Sequence, residues 1–157
     1  MSGHRGIIWG LGIALLIFVL ACSSADAQAS YPLSLQDSAV GKALDSLRSN
    51  QSADGSIHGF NGTTAAVWAF AAAGIDPYDV RASEHGPSLM DYLASSSGNL
   101  SGALDYAFYI LSISASADNP NSYRGHNYAQ DLMSTYSGGQ FGDASLLYDD
   151  MYAVLAL

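Results

Sequence analysis

The side chains of this sequence that could do chemistry are an adjacent pair of carboxylates, three scattered histidines, one thiol and a set of aromatic rings. Asp149 and Asp150 stand together in Leu147-Tyr148-Asp149-Asp150, and paired acids are candidates for proton transfer. They fall at the start of an apolar helical run, where the helix dipole welcomes negative charge and a proton donor is poorly placed. The plainer alternative is that they are acids seated at a helix mouth. His58, His85 and His126 fall one to a loop. They could meet on one rim and hold a metal, but no H-x3-H or H-E-x2-H spacing supports that, so no metal is expected. Gly138-Gly139-Gln140-Phe141-Gly142 is glycine-rich without a following lysine, which gives weak support for cradling phosphate. No nucleophile-elbow, P-loop or dinucleotide fingerprint occurs, and no cofactor is expected.

Cys22 is the single cysteine of the 157 residues, so no disulfide can form within the chain. Val19-Leu20-Ala21-Cys22 reads as a loose lipobox in which the thiol would carry a lipid; the alternative is a chance cysteine inside a cleaved signal. His4 and Arg5 precede an uninterrupted apolar run from Gly6 to Ala21, and Ala25-Asp26-Ala27 and Ala27-Gln28-Ala29 offer cleavage sites. Residues 1–29 therefore read as a secretory or lipoprotein signal, and the protein as secreted or held at the cell surface. The apolar run is short for a span of roughly 20 residues, which leaves an uncleaved anchor as the other reading. Beyond it, Lys42, Arg48, Arg81 and Arg124 face every acid of the chain except Asp26. That balance repels phosphates, so nucleic acid is not expected as a partner, and membrane contact is expected only through the signal or a lipid. Sequons at Asn50, Asn61 and Asn99 suit an exported protein, and in a chain rich in Ser and Asn they also arise by chance.

The elements that must position these residues alternate in character. Ser34 can cap a first helix with Asp37 in its first turn, and Leu35, Ala39, Ala43, Leu44 and Leu47 share its inward face. Asn50-Gln51-Ser52-Ala53-Asp54-Gly55-Ser56 turns the chain. The next helix, from about Gly62 to Ala73, is apolar all round and must be enclosed by protein, with Gly74 as its stop. Pro87 starts a third helix with Leu89, Met90 and Leu93 inward, followed by a second apolar helix from Ser101 to Ala115. A third amphipathic helix uses Tyr128, Leu132, Met133 and Tyr136, a loop runs from Ser137 to Asp143, and a last apolar helix begins near Ala144. Aligning the apolar helices puts Thr64, Asp105 and Asp149 in one position and Phe70, Leu111 and Leu155 in another. A recurrence of about 40 to 45 residues is that of helical-hairpin repeats. Outer helices with one wet face and inner helices without one imply two concentric layers. The final helix carries no stop signal, which suggests a domain continued elsewhere or completed by another chain.

Leu47 to Gly74, with Gln51, Asp54-Gly55-Ser56-Ile57 and Thr64-x3-Trp68-Ala-Phe70, resembles the repeat of squalene–hopene cyclases and protein prenyltransferase β-subunits. The likeness covers residues 34–157 and is good in the first repeat only; Ile57 stands where that family has Trp. It is similar above all to exported archaeal proteins built of such repeats. The resemblance implies an all-α fold in which residues 30–157 form three hairpins, about half of an α/α toroid, with Gln51, Asp54 and Gly55 bracing the repeat turn. It further implies that Thr64, Trp68, Asp105, Tyr109, Asp149 and Tyr152 face a cavity suited to an isoprenoid or other apolar ligand. Phe108, Tyr106 and Tyr148 are further aromatics of the inner helices, and the alternative is that all these rings pack between the layers. A cyclase of the family donates a proton from D-x-D-D; here the first acid is missing, leaving Asp149 and Asp150 as the residues to test. The zinc-dependent prenyltransferase chemistry needs a cysteine in the mature domain, and there is none. The resemblance thus favours a non-catalytic binding or interaction module, taking an apolar ligand or a partner chain, with a homodimer completing the ring as one form. The alternative is a terpenoid-cyclase-like enzyme fragment acting on an isoprenoid.

Overall fold

A computed structural model describes residues 37–157. The signal expected over 1–29, Cys22, the Ser34 cap and Leu35 lie outside the described residues. Those described form six α-helices, α1 (Ser38–Ser49), α2 (Gly59–Ala72), α3 (Leu89–Ser96), α4 (Ala103–Ala115), α5 (Tyr128–Ser134) and α6 (Leu147–Ala156). A short 3-10 turn, Ser97–Asn99, follows α3, and a small hairpin, β1 (Tyr136–Ser137) with β2 (Gln140–Phe141), precedes α6. The domain is all-α. α4 packs between α2 and α6, while α1 and α3 pack on α2, and α5 packs on α4.

Local chemistry explains most of these boundaries. Asp37 is the cap of α1 and not a first-turn residue, since its Oδ1 accepts the Ala39 amide at 2.8 Å. Ser88 caps α3 in a reciprocal box: its Oγ accepts the Asp91 amide at 3.1 Å, and Asp91 Oδ2 accepts the Ser88 amide at 3.0 Å. Pro87 therefore precedes the helix. Leu89, Met90 and Leu93 are buried completely, as the helical period predicts.

α2 ends at Gly74 in the left-handed region, φ 75°, with the Ile75 amide donating to the Phe70 carbonyl at 2.9 Å. α4 ends in the same way, but with Ala117 at φ 62° and the Asp118 amide donating to the Ile113 carbonyl at 3.1 Å. A Cβ is strained there, so Ala117→Gly should raise stability in urea by about 0.5–1 kcal/mol, the strain relieved exceeding the unfolded-state entropy gained. A loss of stability would show that Ala117 is not strained.

Several expectations are corrected. Ala39 and Ala43 are exposed, and α1 packs through Val40, Leu44 and Leu47. α2 is not enclosed all round: Asn61, Ala65 and Ala72 face outward, a stripe whose small residues present little apolar area. Met133 and Tyr136, expected inward, are 51% and 50% exposed because α5 stops at Ser134 after two turns. The loop after it is a β-hairpin whose turn, Gly138 and Gly139 at φ 64° and 97°, requires two left-handed residues, and α6 starts at Leu147, later than expected.

Candidate functional site

Helices α2, α4 and α6 meet over a cluster of rings. Trp68 of α2 meets Phe108 of α4 edge-on, centroids 5.2 Å apart, and Phe108 meets Tyr152 of α6 edge-on at 4.7 Å. Trp68 and Tyr152 lie nearly parallel at 6.4 Å. Edge-to-face contacts of this kind hold rings more firmly than burial alone. Beside the cluster is an open hollow of ≈ 610 Å³ lined by Trp68, Ala71, Ala72, Leu111, Ala115, Tyr152 and Leu155. No charged side chain lines it. Its walls offer dispersion contacts and the faces of two large rings, which suits an apolar guest.

Leu111 of α4 and Leu155 of α6 line the hollow together, but Phe70, aligned with them from the sequence, is fully buried on another face of α2, and its neighbour Ala71 lines the hollow in its place.

Of the six side chains expected around a cavity, Trp68 and Tyr152 are in this hollow. Thr64 is fully buried, its hydroxyl donating to the Asn61 carbonyl at 2.9 Å. Tyr109 is fully buried against Tyr128 and Tyr123, with ring centroids at 4.8 and 6.0 Å. Burial, with the neighbouring phenols, pushes the Tyr109 phenol well above its ordinary value. Asp105 borders a different, polar hollow of ≈ 440 Å³ with His58, Phe60, Asn61, Tyr92 and Asn99. There its Oδ2 accepts the Ser101 amide at 3.1 Å, which tethers the carboxylate to its own loop.

Asp149 and Asp150 point back to the hairpin. Asp149 Oδ2 accepts the Asp143 amide at 2.9 Å, and Asp150 Oδ1 accepts the Phe141 amide at 2.8 Å. A Cβ on Gly142 would run into the Asp149 carboxylate, so the glycine is what lets the turn close over the acid. Both acids thus fix β2 onto α6.

In the first turn, Gln51 Nε2 donates to the Gly55 carbonyl at 3.0 Å and to the Val80 carbonyl, in the segment before α3, at 3.1 Å. Asp54 Oδ1 accepts the Ser56 hydroxyl at 2.7 Å and amide at 3.0 Å, and these bonds hold its carboxyl below the usual range. The histidines do not converge: His126 pairs with Asp131 at 2.6 Å, and no metal-holding cluster of three ligands occurs among the described residues.

A tie that sequence reasoning missed joins the α2–α3 and α4–α5 connections. The Tyr78 hydroxyl donates to Asp118 Oδ2 at 2.6 Å and lies 3.0 Å from the Tyr123 hydroxyl. Burial first, and the Asp118 bond second, push the Tyr78 phenol far above its ordinary value. No motif announces such a pairing across forty residues of sequence. Ala71, Ala72 and Ala115 were also missed as walls of the apolar hollow, because alanine carries no signal of its own.

No family model, curated protein or solved structure matches this chain.

Proposed function

We propose that the chain is an exported, non-catalytic binding module of α/α-toroid-like repeats whose apolar hollow takes up an isoprenoid-like ligand. The observation that carries this reading is the convergence of α2, α4 and α6 on one uncharged hollow, with Trp68 and Tyr152 presenting rings to it. The repeat reading gains support from α2, α4 and α6 packing in succession while α3 and α5 flank the inner helix that precedes each. A cyclase-like role for Asp149 or Asp150 has no such support, since both carboxylates are engaged by backbone amides away from the hollow's walls.

Trp68 makes the test direct. In a Trp9→Phe background it is the sole tryptophan, and farnesol entering the hollow should shift its emission saturably. Ala72→Gln puts a polar amide into the hollow from an exposed helix position and should weaken binding about tenfold, or 1.4 kcal/mol. No saturable response to farnesol, or equal affinity in Ala72→Gln, would defeat the assignment.

A further inference from the structure

The outward face of α6 is the largest unexplained feature of the domain. Leu147, Tyr148, Met151, Val154 and Leu155 are 77%, 62%, 57%, 72% and 66% exposed. Their spacing places them on one arc of the helix. On α4 the positions corresponding to Leu147, Met151 and Val154 are Ala103, Ala107 and Ile110, exposed by 2%, 0% and 0%. What is covered on α4 is therefore bare on α6, where Leu147 and Met151 stand in place of two alanines.

We infer that this face pairs with the same face of a second copy of the chain, the two α6 helices running antiparallel about Met151. Area is the first argument. Five side chains exposed to this degree present on the order of 700 Å², close to what one partner contributes to a stable complex. Monomers rarely expose contiguous apolar patches beyond a few hundred Å².

Charge is the second. Each copy carries a formal charge of −9, so two copies can meet closely only where no carboxylate faces the seam. α6 meets that condition because Asp149 and Asp150, the acids of its first turn, are turned to the Asp143 and Phe141 amides. The same acidity opposes an anionic membrane surface as the occupant, since nothing basic lies on α6.

Symmetry is the third. A two-fold pairing requires one face to complement itself. With Met151 on the axis, Leu147 of one copy meets Leu155 of the other and Val154 meets Tyr148, and the unbranched Met151 side chains can adjust to each other. Leu155 belongs both to this face and to the apolar hollow. The second copy would accordingly stand at the hollow's open side. The pairing does not rest on the ligand reading, and it is measured without ligand.

Sedimentation of the 157-residue chain over a wide concentration range reads the outcome. The expected result is a reversible species of twice the mass of one copy. Val154→Asp and Leu147→Asp should each weaken it at least a hundredfold, with far-UV circular dichroism unchanged and the urea midpoint no longer dependent on protein concentration. In a Cys22→Ser background, Met151→Cys should form a disulfide between copies under mild oxidation. Ala72→Gln should still dimerise, and monomeric Val154→Asp should still show the Trp68 response, so the two readings fail separately. A single-copy mass at every concentration, a dimer indifferent to Val154→Asp, a dimer in which Met151→Cys does not cross-link, or polydisperse aggregates would each overturn the pairing.

Discussion

In urea unfolding, Gly55→Ala is expected to lose about 3 kcal/mol, a large share of the stability of a domain this size. Gly55 sits at φ 89°, which costs any L side chain roughly 1–2 kcal/mol. An added Cβ would also come within 2.6 Å of the Ser88 carbonyl oxygen and 3.0 Å of that of Pro87. Both are backbone atoms and cannot rotate aside, and relieving such an overlap costs about 1–3 kcal/mol more. Ser88 is the cap of α3, so any displacement is passed to the capping box and to the buried Leu89 and Met90 behind it. The matched control is Gly41→Ala. Gly41 lies inside α1 with nothing within 4 Å of its added Cβ, and the change should stabilise by roughly 0.5–1 kcal/mol. If Gly55→Ala unfolds within 1 kcal/mol of wild type, the close approach of the turn to Ser88 does not set the geometry of the α2–α3 connection.

The same turn shows what could be read from the residues and why. Asp-Gly-Ser is a local signal: an Asx-type bond from Asp54 to Ser56 and a left-handed glycine both follow from the chemistry of three consecutive residues. Leu89, Met90 and Leu93 were equally legible, because a short helix with three large apolar side chains at helical spacing has one way to bury them. α5 was not. Tyr128, Leu132, Met133 and Tyr136 keep the helical period, but the chain leaves the helix at Ser134 for a Gly138-Gly139 hairpin, and that pair outweighs the period on either side. In α2 an unbroken apolar run gave no way to tell faces apart. Only contacts with α1, α3 and α4 decide that Phe70 is buried while Ala72 is exposed.

The hollow was legible through its rings and not through its outline. Trp68 and Tyr152 could be singled out as large aromatics on apolar helices. Ala71, Ala72 and Ala115 line the same space by having short side chains, a property visible only once the neighbours are placed. Thr64 and Tyr109 went the other way: both types are compatible with a cavity wall, and both are fully buried in packing. On α2 a shift of one residue separates wall from core: Ala71 lines the hollow and Phe70 is fully buried.

The acids at the start of α6 separate a structural from a chemical role most sharply. Asp149 is 8% exposed and accepts the Asp143 amide; Asp150 is half-buried and accepts that of Phe141. Hydrogen bonds to a charged acceptor contribute about 1.5–3 kcal/mol, and the abandoned amide adds its own desolvation cost. Asp149→Ala should therefore lose about 2–3 kcal/mol. Asp149→Asn keeps an acceptor oxygen of the same reach and should lose about 1 kcal/mol, the difference between a charged and a neutral partner. Hydrogen exchange gives the residue-level readout. Asp149→Ala should speed exchange of the Asp143 amide at least tenfold while leaving Phe141 protected, and Asp150→Ala should do the converse, because each carboxylate holds its own amide. A group retained for proton donation would give another pattern, with Asn and Ala substitutions alike in stability and the hairpin amides undisturbed. That pattern would remove the brace as the reason for the acids and return Asp149 to consideration as a chemical group.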